Sequence, residues 1–116
     1  MSIMAAAQVT VASPTNIAVI KYWGKRDSKL NLPINSSVSI TINQADLRTI
    51  TTVTVSSDFA RDRLWLNSEE EDVAANSRVQ KVFALVRQRS SKWPGMKVNV
   101  VSKNNFPTAA GLASSA

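Results

Sequence analysis

Asn104-Asn105-Phe106-Pro107-Thr108-Ala109-Ala110-Gly111-Leu112-Ala113-Ser114-Ser115-Ala116 closes the sequence, directly after the strand-like run Met96-Lys97-Val98-Asn99-Val100-Val101-Ser102. A proline, a run of small residues, one glycine and a serine pair predict a tight loop that passes from a strand into a helix N-terminus. Small side chains and Gly111 let main-chain N–H groups approach an anion, and the first N–H groups of a helix have no internal partner. Ser114 and Ser115 add hydroxyl donors. The residues by themselves leave two readings open, a phosphate cradle and an ordinary strand-to-helix turn with serine as N-cap. The sequence stops where that helix should begin, and a terminal carboxylate there would repel the anion. The expectation is a piece of a longer chain.

At 116 residues the chain makes at most one domain, with room for a modest core. Lys and Arg outnumber Asp and Glu by 14 to 8, a formal charge of +6, so the natural partners are anions. There is no Cys and no His. Disulfides, Cys-based metal sites and Ser-His or Cys-His nucleophile schemes are therefore excluded within the chain. The apolar stretches are short and interrupted, and Met1 to Ala7 lacks a basic region ahead of an apolar core. No membrane span and no secretory signal are expected, and a cytoplasmic setting follows by default.

Upstream of the closing loop the pattern is mostly that of strands. Gln8 to Ala12 alternates around Val9 and Val11 and ends at Ser13-Pro14. Thr15 to Ile20 is apolar and runs into Lys21-Tyr22-Trp23-Gly24-Lys25-Arg26-Asp27. Leu30 to Ser37, with Asn31, Pro33 and Asn35, predicts a loop, and Val38 to Ile42 a half-buried strand. Leu47 to Ser57 and Arg63 to Leu66 are further strands, followed by a turn at Asn67-Ser68 and an acidic loop Glu69 to Asp72. Val79, Val82, Phe83 and Val86 fall at helical spacing, predicting an amphipathic helix over roughly Ala74 to Ser90. Trp93-Pro94-Gly95 stops it.

Two groups of residues carry chemistry. Lys21, Lys25 and Arg26 place three cations beside Tyr22 and Trp23, and Gly24 permits close backbone approach. Such a cluster can hold a diphosphate by charge-assisted hydrogen bonds, or can be a solvated turn whose aromatics cap a core edge. Arg78 either points inward from the helix or is a surface arginine. The carboxylates show no spacing that implies a metal site, and none is assigned as a base. The basic residues Arg78, Lys81, Arg87, Arg89 and Lys92 lack an interleaved aromatic platform, so nucleic-acid recognition is not expected.

Taken together, Pro14 to Asp27, Leu32-Pro33-Ile34-Asn35-Ser36-Ser37-Val38-Ser39 and Asn104 to Ala116 resemble the mevalonate diphosphate decarboxylase family of the GHMP kinase superfamily. The superfamily's phosphate loop has the form Pro-x-x-x-Gly-Leu-x-Ser-Ser-Ala, and Pro107 to Ala116 matches every fixed place. The resemblance implies an α+β fold: the N-terminal domain of a GHMP-type (ribosomal protein S5 domain 2-like) enzyme, an antiparallel sheet with helices on one side, truncated at the phosphate loop. It implies residues 1–116 as a partial domain with the C-terminal domain absent. It also implies ATP-dependent decarboxylation of mevalonate 5-diphosphate to isopentenyl diphosphate in isoprenoid and sterol biosynthesis, with ATP and Mg2+ as cofactors and a homodimer when complete. Substrate-binding positions carried over are Tyr22, Trp23, Gly24, Lys25, Lys21, Arg78 and Asn16, with Tyr22 and Lys25 on the diphosphate. Asn16 matches a residue that orients an active-site arginine, and Gly111, Leu112, Ala113, Ser114 and Ser115 form the phosphate loop. The family's catalytic aspartate lies beyond Ala116, so no catalytic residue and no metal ligand are expected within the chain. The alternative is an inactive truncated fragment acting as an anion-binding or interaction module.

Overall fold

The computed structural model describes residues 6–90, 92 and 95–107. The chain divides into two compact units, one of Met1–Ala12 with Ile50–Lys103 and one of Ser13–Thr49 with Asn104–Ala116.

The first unit carries most of a five-stranded sheet. Its strands are β1 (Ala6–Pro14), β6 (Arg48–Ser56), β7 (Arg63–Leu66), β8 (Glu69–Glu71) and β9 (Lys97–Asn104), in the order β1-β6-β9-β7-β8. Threonine, valine and isoleucine make β6 a natural strand, because branched side chains fit the pleated surface. Gln8 Nε2 donates to Thr54 Oγ1 at 3.1 Å, and the hydroxyls of Thr10 and Thr52 lie 2.9 Å apart. These rungs run in the antiparallel sense, and the Thr51–Ser102 hydroxyl pair at 2.8 Å links β6 to β9.

The sheet is mixed, which corrects the expectation of a purely antiparallel one. β7 pairs β8 antiparallel but pairs β9 in parallel, with Arg63 opposite Asn99 and Trp65 opposite Val101. A two-residue turn suffices for the first pairing, whereas a parallel partner needs a long connection. Here that connection contains a 3-10 turn (Val73–Ala75) and helix α1 (Ser77–Arg89). The α+β class itself is as expected. The acidic run read as a loop is β8: Leu64 faces Glu71, Trp65 faces Glu70 and Leu66 faces Glu69.

Strand alternation sends Leu64 to one face, where it is 6% exposed, and Arg63 and Trp65 to the other. On that other face Arg63 makes a two-pronged contact with Glu70, Nε to Oε1 and Nη2 to Oε2, both at 2.8 Å. Its guanidinium stands 4.4 Å from the Trp65 ring centroid. The Arg63 hydrogen bonds hold the Glu70 carboxyl below its ordinary value of 4.5; burial opposes this, and the charges of Arg63 and Arg61 add to it. Because the folded-state value is the lower one, this contribution is complete above 4.5 and is lost as pH falls through the lowered value. Thermal midpoints measured from neutral to acidic pH are therefore expected to fall less steeply below that point in Glu70→Gln than in the parent.

The β7–β8 turn holds Asn67 at φ 49° and Ser68 at φ 73°. Asparagine tolerates this left-handed region, but serine pays a steric cost there, and two-residue hairpin turns of this kind favour glycine at the second place. Ser68→Gly is expected to stabilise the chain by about 1 kcal/mol, read as a thermal midpoint raised by about 4 °C. An unchanged or lowered midpoint would mean that the turn relaxes its strain elsewhere.

Asn76 caps α1, its side chain accepting from Val79 N at 3.2 Å, and Asp72 caps the preceding 3-10 turn through Ala74 N at 2.9 Å. The stripe that α1 half-buries is Val79, Phe83 and Arg87, four residues apart. Val82 and Val86, expected inward, are 56% and 61% exposed. Arg87 sets this rotation: Nη2 donates to Asp62 Oδ1 at 2.5 Å and Nε to Met96 O at 3.3 Å, with its guanidinium 5.9 Å from the Phe83 ring. Asp62 Oδ1 also accepts from Val98 N at 2.9 Å, so one carboxylate joins the helix to the start of β9.

The second unit contains two small antiparallel pairs. β2 (Asn16–Ile20) runs against β5 (Val38–Thr41), with Ile17 opposite Ile40 and an irregularity between Ala18 and Ile20. β3 (Lys25–Asp27) runs against β4 (Leu32–Pro33), so the segment read as a loop from Leu30 to Ser37 contains a short strand. β5 was expected to be half-buried, yet Val38 and Ile40 are both exposed. Phe106 and Thr15 are buried. Asn105 fastens the chain ahead of Pro107: its side chain accepts from Arg48 N at 2.8 Å and donates to Asp46 O at 3.0 Å, while its N–H donates to Arg48 O at 3.1 Å.

Candidate anion-binding site

β2 ends at Ile20, and Lys21 to Gly24 continue without regular structure before β3 begins at Lys25. The departure from β2 exposes successive side chains around a recess lined by Ala18, Lys21, Tyr22, Trp23, Gly24, Lys25 and Ser37. Five of the seven predicted substrate-binding residues thus meet in one place.

Each cation there is held by a neutral oxygen. Lys21 Nζ donates to Ala18 O at 2.9 Å, and Lys25 Nζ donates to Asn31 Oδ1 at 2.8 Å. An ammonium has three donors, so each retains two for an incoming oxyanion. Trp23 is 87% exposed, and Tyr22 is also exposed. Neither side chain caps a core edge in this structure. The Trp23 N–H donates to Asn35 Oδ1 at 3.3 Å, and Gly24 O accepts from Ile34 N at 2.9 Å. A Cβ built on Gly24 would lie 2.8 Å from Ile34 Cδ1, the tip of an exposed side chain that would have to turn aside.

Asn16 lies at the start of β2, where its Nδ2 donates to Thr41 Oγ1 at 2.8 Å. That bond ties it to its cross-strand partner. Arg78 is exposed in the first turn of α1 and belongs to the other unit. Gly111, Leu112, Ala113, Ser114 and Ser115 lie outside the described residues. Among the described residues no three His, Cys, Asp or Glu side chains are placed to hold a metal ion. Sequence reasoning missed Asn31, Asn35 and Asn105, because asparagine in a loop reads as turn chemistry wherever it occurs.

The arrangement is two tethered ammonium groups, a phenol and a close backbone approach on one recess. A family model for the diphosphomevalonate decarboxylase-like N-terminal domain matches residues 13–116. The chain belongs to the diphosphomevalonate decarboxylase-like family. Diphosphomevalonate decarboxylase of Schizosaccharomyces pombe is 52% identical over 94% of this chain. The chain spans about 30% of the length of that curated relative. Among solved structures, mevalonate diphosphate decarboxylase from Trypanosoma brucei overlays with a TM-score of 0.84 at 47% identity, covering 94% of this chain and 30% of that one. The complex of MDDEF with MVAPP, AMPPCP and magnesium overlays with a TM-score of 0.77 at 39% identity, covering 97% of this chain and 33% of that one. These solved relatives share the α+β fold described here.

Proposed function

We propose that the chain supplies the diphosphate-binding part of an ATP-dependent decarboxylase. The reaction converts mevalonate 5-diphosphate and ATP to isopentenyl diphosphate, carbon dioxide, ADP and phosphate. The observation that carries this reading is the recess at Lys21, Tyr22 and Lys25, whose donors suit a diphosphate in a family of diphosphomevalonate decarboxylases. In this reading the ammonium groups of Lys21 and Lys25 and the Tyr22 hydroxyl receive the diphosphate oxygens, and Gly24 keeps the backbone close. Asn16 orients an arginine and Arg78 meets the substrate from its helix.

Phosphoryl transfer depends on cations and donors placed around dispersed negative charge more than on a nucleophilic side chain. The lack of His and Cys is therefore no obstacle to such chemistry. ATP, when bound, would supply the phosphoryl group that turns the substrate's tertiary hydroxyl into a phosphate leaving group, whose departure would take up the electron pair of the carbon–oxygen bond while the carboxylate carbon leaves as carbon dioxide. Mg-ATP enters this proposal through the loop of Gly111, Leu112, Ala113, Ser114 and Ser115. We assign residues 1–116 to the first part of a GHMP-type domain and the catalytic aspartate to sequence beyond Ala116. The complete enzyme is proposed to be a cytoplasmic homodimer in isoprenoid and sterol biosynthesis, without nucleic-acid or membrane partners. No helix among the described residues is long and apolar enough to cross a membrane.

Calorimetric titration of the 116-residue chain with mevalonate 5-diphosphate, inorganic diphosphate and inorganic phosphate tests the reading. Binding of the two diphosphates well above inorganic phosphate is expected. Equal, strongly salt-dependent binding of every anion offered would instead favour a general anion-binding module.

A further inference from the structure

Lys25 opens β3 directly after the irregular stretch Lys21 to Gly24, and both are splinted by the segment from Asn31 to Asn35. Ile34 N and Asn35 Oδ1 hold the backbone at Gly24 and Trp23, and Asn35 Nδ2 donates to Ser36 O at 3.1 Å, which fixes which way its amide faces. Asn31 then takes Lys25 Nζ at 2.8 Å. Asn31 stands at φ 56°, in the left-handed region, and the turn that brings it there is closed by Asp27 Oδ1 accepting from Lys29 N at 2.9 Å and Leu30 N at 3.0 Å. Asparagine is among the few residues with a Cβ that adopt this conformation readily, and its side chain is short enough to offer an acceptor beside the turn.

The chemistry of the acceptor matters as much as its position. A carboxylate at this place would hold the ammonium equally well but would cancel its charge. An amide oxygen holds it and leaves the charge whole. Two of the three Lys25 donors remain for a second partner, and their direction is set by the bond to Asn31.

We propose that Asn31 is a positioning residue, a neutral tether that aims the Lys25 ammonium into the recess while preserving its positive charge for a diphosphate. The inference rests on the recess being the diphosphate site. Its effect is preorganisation: a long, flexible side chain that is already held loses less freedom when the anion arrives.

Two variants of the full chain separate this role from a merely structural one. Asn31→Gly keeps the left-handed turn and removes the acceptor, whereas Asn31→Asp keeps turn and acceptor and adds a negative charge. Titration with inorganic diphosphate is paired with 13C relaxation of the Lys25 side chain and with thermal midpoints. Asn31→Gly is expected to bind diphosphate about threefold to tenfold more weakly, with a more mobile Lys25 and a nearly unchanged midpoint. Asn31→Asp is expected to bind about tenfold more weakly with Lys25 as ordered as in the parent. Parent-like affinity in Asn31→Asp would overturn the proposal, and so would parent-like Lys25 mobility in Asn31→Gly. If the parent chain itself binds no diphosphate, the functional reading fails, and the relaxation of Lys25 in Asn31→Gly still decides whether Asn31 holds it.

Discussion

Asp62→Ala is expected to destabilise the first unit by about 2–3 kcal/mol, the largest loss of any single substitution outside the apolar positions. The Asp62 side chain is 17% exposed and that of Arg87 30%. One oxygen accepts from both the Arg87 guanidinium and the Val98 N–H. Alanine leaves a half-buried cation without its partner and a strand N–H without its acceptor, and each loss costs more than the mean value of a hydrogen bond. Asp62→Asn separates the two: it retains an oxygen for Val98 but not the charge for Arg87, so its cost should fall between the parent and Asp62→Ala. Urea or thermal unfolding measures both. A loss below about 0.5 kcal/mol in Asp62→Ala would mean that α1 is held against β9 by something other than Arg87.

Lys25→Ala is expected to weaken binding of mevalonate 5-diphosphate roughly tenfold to a hundredfold, the range for losing hydrogen bonds to a charged group. Because Lys25 is a surface cation held by one neutral oxygen, its removal should leave the thermal midpoint nearly unchanged. Lys21→Ala is expected to cost less affinity, since the Lys21 ammonium is bonded to the backbone carbonyl three residues before it and is fixed with less reach. Calorimetric titration of both variants gives the order directly. Equal affinity in Lys25→Ala and the parent would remove the diphosphate from this recess.

Much of this was legible in the sequence, and the parts that were not share a cause. The aromatic-and-cation run at Lys21 to Arg26 is a local pattern, and its residues Lys21 to Lys25 line one recess. The alternation of β6 is local too and was read correctly as a strand. β8 was not, because glutamates have little intrinsic preference for strands; they become one only where Leu64, Trp65 and Leu66 offer a partner and Arg63 meets Glu70. The helix face was misjudged for the same reason. Periodicity counts apolar residues, whereas the half-buried stripe includes Arg87, and its reason for turning inward is Asp62, 25 positions away. The site shows the same division. Lys25 could be picked out by type and neighbours, but the roles of Asn31 and Asn35 depend on which hairpin returns beside the loop. The parallel β7–β9 pair, likewise, depends on a connection that no single segment encodes.

The two flanks of the five-stranded sheet differ in a way that bears on how the protein survives at high concentration. Among the described residues β8 terminates one flank with Glu69, Glu70 and Glu71, a row of negative charges that repels any incoming strand of its own kind. β1 terminates the other with Gln8, Val9, Thr10 and Val11, uncharged, branched and with both valines exposed. A sheet of this kind has one gatekept side and one that is open to recruitment. Fibrous or amorphous growth, if it is provoked, should propagate from β1 and be slowed by a single lysine at Val9 or Val11, while the glutamate side stays inert.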